Sequence, residues 1–135
     1  MTNNSVFIEK LRSSGLRPTR QRIQICKVLF EKKETFHFTV SSLSKIISEK
    51  FNSRISLATV YNTVHAFKRK GYLKEISINS EKIFYDTNVA HHHHFFDQNT
   101  KELIDLASDE VGQIKINKKI PGKKIKSVEV LVKIK

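Results

Sequence analysis

The apolar residues of this 135-residue chain change their period at one point. Up to Gly71 they recur at three- and four-residue intervals; from Glu75 onward they alternate. A chain patterned this way must pack helices first and a sheet afterwards, because the two periods place side chains on different geometric faces. Val6, Phe7, Ile8 and Leu11 predict a short amphipathic helix stopped by Gly15. Pro18 or Thr19 opens a second helix, with Ile23, Cys26, Leu29 and Phe30 on its apolar face. Thr39 caps a third, carrying the stripe Val40, Leu43, Ile47 and Phe51. Ser56 caps a fourth that runs to Gly71, with Leu57, Val60, Val64 and Phe67 facing inward. Glu75–Ile78 and Lys82–Tyr85 then alternate about a polar Asn79-Ser80-Glu81 turn, which predicts a β-hairpin.

Helices followed directly by a hairpin are the order of a winged helix-turn-helix. The expected organisation is α+β: a winged-helix domain over residues 1–87, a hinge at 88–90 and a small α/β domain over 91–135. In the second part we expect a strand at Leu103–Leu106, a short helix from Ser108 to about Ile114, a turn at Pro121-Gly122 and a strand from Val128 to Ile134. Fewer than fifty residues make a poor core, so this part is expected to share its sheet with a second copy, as a dimerisation domain.

Charge narrows the function. The chain carries 25 Lys and Arg against 13 Asp and Glu. Residues 1–88 hold 16 basic and 7 acidic side chains, and residues 89–135 hold 9 and 6. A positive field concentrated in the winged-helix part suits double-stranded DNA. The apolar runs are too short to span a bilayer, the first thirty residues lack the uncharged stretch of a secretory signal, and the expected compartment is the cytoplasm. Cys26 is the single cysteine; it excludes an internal disulfide and a Cys-x-x-Cys zinc site, and reads as a core residue.

Rotating the fourth helix by about 100° per residue places Asn62 and Arg69 opposite its apolar side, near Ala58, Thr59, His65 and Ala66, with Tyr61 on the flank. Small residues at the helix start permit close entry into a major groove. Asn pairs with adenine, and Ala and Thr methyls meet the thymine methyl, so an AT-rich operator is expected. Arg69, Lys68 and Lys70 lie where phosphates would be. Arg17, Arg20 and Arg22, around Thr19, are placed to hold the backbone or a minor-groove edge. The plainer reading is a solvated polar face, and His65 alone reads as surface or structure.

His91-His92-His93-His94 is the other singular feature. On a strand, His91 and His93 share one face and His92 and His94 the other, about 6.5–7 Å apart at Cα. Asp86, Asp97, Asp105 and Glu110 are candidate carboxylates, and His37 is a further imidazole in the loop before the third helix. Imidazole and carboxylate without thiolate suit Zn²⁺, Mn²⁺ or Fe²⁺, and imidazole also ligates haem iron. A disordered polar tract is the alternative, which Phe95-Phe96 disfavour because they seek burial.

Gly15-Leu16-Arg17-Pro18-Thr19-Arg20-Gln21-Arg22, then Ser56-Leu57-Ala58-Thr59-Val60-Tyr61-Asn62-Thr63-Val64, then the histidines, resemble the ferric uptake regulator family over nearly the whole chain. Tyr61-Asn62 and Asp86-Thr87-Asn88 ahead of the histidines and Phe95-Phe96 look most like its iron response regulator branch in alphaproteobacteria. The resemblance implies a homodimeric transcription regulator of iron and haem homeostasis. It implies Tyr61 in the major groove, Arg17 at the minor groove, and Ser56 within the DNA-binding motif. It maps an inter-domain metal site onto His37, Asp86, His92, His94 and Asp105, and in that branch haem binding is attributed partly to the histidine tract, here His91 and His93. The family's paired-cysteine zinc is not expected: its first positions fall near Asp97 and Thr100. No histidine follows His94 to complete the family's second site, and Cys26 is not followed by proline as in the haem motif of some members.

Two other classes compete. A small metalloenzyme would need an open metal position and a general base, yet no His-Glu-x-x-His, Gly-rich phosphate loop or Gly-x-Ser-x-Gly is present, so no enzyme is expected. A constitutive DNA-binding protein with a structural or storage metal would bind DNA independently of ligand.

Overall fold

The computed structural model describes residues 4–135 and divides between Val89 and Ala90 into two compact units. The first contains α1 (Asn4–Ser13), α2 (Arg20–Phe30), β1 (His37–Phe38), α3 (Val40–Phe51), α4 (Leu57–Lys70), β2 (Lys74–Ser77) and β3 (Ile83–Asp86). The second contains β4 (His93–Asp97), β5 (Leu103–Leu106), a 3₁₀ turn at Ser108–Glu110 and β6 (Leu131–Ile134). The architecture is α+β, with a winged helix in the first unit.

Local chemistry sets the helix ends. The Thr19, Thr39 and Ser56 hydroxyls accept the backbone N–H of Arg22, Ser42 and Thr59 at the starts of α2, α3 and α4. Such caps each stabilise by about 1 kcal/mol. Gly71 ends α4 in the left-handed region at φ 93°, and the Tyr72 N–H turns back to the Phe67 carbonyl at 2.9 Å. A side chain is strained there, which is why the stop falls on glycine.

The helices close on Leu11, Ile25, Leu29, Leu43, Ile47, Val60, Val64 and Phe67, all essentially without solvent exposure. Phe30 meets Phe67 edge to face at 5.5 Å. Cys26 is buried among them. On α2 the inward face is Ile25, Cys26, Val28 and Leu29, so Ile23 and Phe30 are only its half-buried margins. On α4 the buried arc is Val60, Thr63, Val64, Ala66 and Phe67. This corrects two assignments. Leu57 is 55% exposed and Ala66 is buried, because the arc is rotated by part of a turn toward Thr63 to meet the neighbouring elements.

The hairpin forms as expected, but in a three-stranded sheet of order β1-β3-β2. β1 pairs antiparallel with β3 and sets His37 opposite Asp86. The sequence reading placed His37 in a loop; a two-residue strand has no period to detect. In the second unit β4 pairs antiparallel with β5 and parallel with β6. The expected strand from Val128 is shorter, since only Leu131–Ile134 pair regularly. The expected helix from Ser108 to Ile114 reduces to the 3₁₀ turn, because Gly112 and the alternating Ile114-Lys115-Ile116 that follow favour extended chain. Among the described residues, Val111–Val130 contain no regular element.

Candidate metal donors and nucleic-acid interface

In the first unit the β1–β3 ladder brings His37 Nε2 to 3.1 Å from Asp86 Oδ2. Asp86 is buried, and its Oδ1 accepts the Asn88 N–H at 2.8 Å. The carboxylate is thus held by the turn that follows β3, with one oxygen toward the imidazole.

The second unit sorts its histidines by face. His92 and His94 lie together with ring centroids 4.5 Å apart, and His91 and His93 pair at 5.0 Å. His94 stands opposite Asp105 in the β4–β5 register. Asp105 Oδ1 lies 3.2 Å from His92 Nε2 and 3.5 Å from His94 Nε2. His92 Nδ1 sits 2.6 Å from the Ala90 carbonyl oxygen. A carbonyl only accepts, so Nδ1 carries a proton and Nε2 is the nitrogen turned to Asp105. Nδ1–H on a carbonyl with Nε2 turned inward is also how metal-ligating imidazoles are oriented.

The other face is built differently. The Val130 N–H donates to His93 Nδ1 at 3.0 Å, which puts the proton of the neutral ring on Nε2. His91 Nε2 lies 3.0 Å from the Val128 carbonyl and donates to it. These rings tether the chain entering β6, beside a cavity of about 550 Å³ lined by His91, His93, Val111 and Lys126 among others. Asp97 instead caps its own turn: its carboxylate accepts the Asn99 and Thr100 N–H groups, which hold it below the usual carboxylate range. Glu110 accepts the Ala107 N–H.

The rotation found for α4 regroups its outer face. Ala58, Tyr61, Asn62 and Arg69 are exposed and His65 is half-buried. At 100° per residue they span an arc of about 100°. Tyr61, expected on the flank, stands on this face and stacks against His65 with centroids 5.6 Å apart and planes 9° apart. The missed signal was the centre of the buried arc, which Thr63 displaces: its hydroxyl is satisfied within the helix by the Thr59 carbonyl at 2.8 Å, so it buries without cost to the core. Leu57, exposed at the helix start, joins the outer surface unanticipated. Arg17 and Arg20 are exposed, whereas Arg22 donates to the Arg17 carbonyl at 2.9 Å and braces that loop. Ser56 and Thr19 act as caps, and Thr59 is half-buried. Burial pushes the Cys26 thiol up to about 12, consistent with an inert core residue.

A winged helix with an exposed polar reading helix, in a chain whose β-strands present imidazole–carboxylate groups, is the build of a metal-responsive DNA-binding transcription regulator. Among the described residues no helix is long and apolar enough to cross a membrane. The chain belongs to the Ferric uptake regulator family, whose model matches residues 13–134. The family comprises dimeric DNA-binding repressors rather than enzymes. The chain is 32% identical over 110 residues to the peroxide-responsive repressor PerR of Staphylococcus epidermidis, covering 79% of this chain and 71% of that one. Its fold is similar to the ferric uptake regulator of Pseudomonas aeruginosa with manganese (TM-score 0.67, 18% identity, 96% of each chain). It is also similar to that of Vibrio cholerae (TM-score 0.70, 20% identity, 95% of this chain and 98% of that one).

Proposed function

We propose that this regulator binds one divalent ion through His37 and Asp86 of the first unit together with His92, His94 and Asp105 of the second, and that this ion controls its grip on an AT-rich operator. The observation that carries the reading is two imidazoles gathered on one carboxylate: His92 Nε2 and His94 Nε2 lie 3.2 Å and 3.5 Å from Asp105 Oδ1, with His92 Nδ1–H fixed on the Ala90 carbonyl. Neither unit alone supplies a full set: two donors stand in one and three in the other. Three imidazoles and two carboxylates without thiolate fit Mn²⁺, Fe²⁺ or Zn²⁺. Bound there, the ion supplies fixed positive charge and directed ligand bonds. The residues do the rest: Asn88 holds Asp86, Ala90 holds His92, and Val89-Ala90 links the donors to the wing. A ligand that prefers one arrangement of the units shifts the dimer toward it, and the two copies of α4 then match, or fail to match, successive half-sites. Tyr61, Asn62, Ala58 and Thr59 read bases, Arg17 reaches the minor groove, and Arg20, Arg22 and Arg69 hold the DNA backbone.

The test is calorimetric titration of metal-free protein with Mn²⁺ and Zn²⁺, beside operator affinity. His37→Ala and the His92→Ala/His94→Ala pair should abolish the same binding event. Two events, each lost in only one variant, would refute a shared ion.

The finer reading follows the iron response branch, with haem as effector, and rests on Tyr61-Asn62 and the Asp86-Thr87-Asn88 approach to the histidines. Haem ligation by His93 would have to break its bond to Val130, whereas His91 could ligate through Nδ1 with its bond to Val128 intact, so a Soret shift that depends on His93 should be accompanied by loosening of β6. Response to peroxide, as in the staphylococcal repressors, is the second reading, favoured by the 32% identity. Loss of operator binding after peroxide treatment of the Fe²⁺-loaded protein, without any haem shift, would select it.

A further inference from the structure

We propose that His65 is a positioning residue for DNA recognition: its imidazole holds the Tyr61 ring in the orientation in which it meets the bases. The proposal rests on the reading of α4 as the recognition helix. Tyr61 and His65 are four residues apart, so they lie on one ridge of the helix. Helical side chains lean toward the N-terminus, which brings the His65 ring over the turn that carries Tyr61. The rings are nearly parallel, with centroids 5.6 Å apart and planes 9° apart, within the range where offset aromatic rings attract. Tyr61 is 48% exposed.

A stack on an outward face adds little to a helix already closed by Ser56 and Gly71. Its consequence is for the exposed ring. A surface tyrosine samples several rotamers, and ordering it on binding costs affinity. The His65 stack supplies that order before DNA arrives. Asn62 and Ala58 are exposed on the same arc of the helix. The ridge continues to Arg69, one turn further and exposed, where it can meet phosphate.

The experiment uses the full chain loaded with Mn²⁺ and a duplex obtained by selection with the unmodified protein. Dissociation constants are measured for that duplex and for duplexes in which each A·T pair is replaced in turn. His65→Ala should weaken the selected duplex about three- to tenfold, the scale of an aromatic pair, and flatten discrimination at the pairs that Tyr61→Ala also flattens. His65→Phe keeps a stacking ring without nitrogen and should restore both within about twofold. His65→Gln keeps polarity without a ring and should behave like His65→Ala. If His65→Gln binds normally while His65→Phe fails, the imidazole acts through hydrogen bonds and the proposal is overturned. Unchanged affinity and discrimination in His65→Ala also overturn it. If Tyr61→Ala itself binds normally, the recognition reading falls instead. Far-UV melting of each variant separates these results from loss of fold.

Discussion

The first unit carries its own interior, and the second does not. Residues 4–89 bury a continuous apolar cluster from Phe7 to Tyr85. The second unit contributes only Phe96, Leu103 and Leu106 to the buried apolar residues among those described, while Ile104, Ile114, Ile116, Ile120 and Ile125 stand exposed. Its polar groups are the reverse: His92, His93 and His94 are buried. A small sheet that spends its interior on imidazoles needs apolar cover from elsewhere, and a second copy is the cover a dimeric family provides. The first unit therefore closes on side chains of its own, while the second leaves apolar side chains exposed and buries imidazoles.

The sharpest way to break this contrast is Phe67→Ala. It should cost about 3–5 kcal/mol, measured by denaturant melting, and strip amide-exchange protection from α2, α3 and α4. Equal loss of protection in β4 and β5 would show that the units share one cooperative interior. Next, His92→Ala with His94→Ala should lower Mn²⁺ affinity at least a hundredfold with no more than a small change in helical signal; collapse of the helices instead would make these histidines part of the core. Ile114→Glu with Ile116→Glu should shift the protein toward monomer in sedimentation, weakening association about tenfold or more; an unchanged dimer would place the cover elsewhere.

Alkaline pH tests the first unit alone. The Cys26 thiol rises from 9.0 to about 12 in the folded protein. Its stabilisation is therefore complete below pH 9 and is lost as pH climbs through 12, because only the unfolded chain ionises first. A Cys26→Ser chain should show less of this decline in melting experiments from pH 9 to 11. The smallest effect is Ser56→Ala, about 1 kcal/mol, read as fraying at the start of α4 and a modest loss of operator affinity. A loss as large as that of Phe67→Ala would mean that Ser56 does more than cap.

Much of the fold was legible because its signals are short-ranged. The starts of α3 and α4, the stop at Gly71, the hairpin and the Leu103–Leu106 strand each depend on residues within a turn or two of one another. The pairing of His92 with His94 followed from the parity of a strand alone. From residue pattern alone the site was legible by composition, and its partnership came only through the family resemblance, because the two-residue strand that sets His37 against Asp86 leaves no pattern in the chain. Parity separated the two faces of the tract but not their bonding: His92 Nδ1 donates to the Ala90 carbonyl, while His93 Nδ1 accepts the Val130 N–H.

By itself, then, the sequence determined where helices begin and end, where the period changes, and which histidines share a face, since caps, glycine and parity act through neighbouring atoms. Only tertiary structure decided the rotation of α4 that exposes Leu57 and Tyr61 and buries Ala66. It alone decided the β1–β3 pairing and the short reach of β6. These depend on contacts between residues far apart in the chain, where the free energy of packing outweighs any local preference.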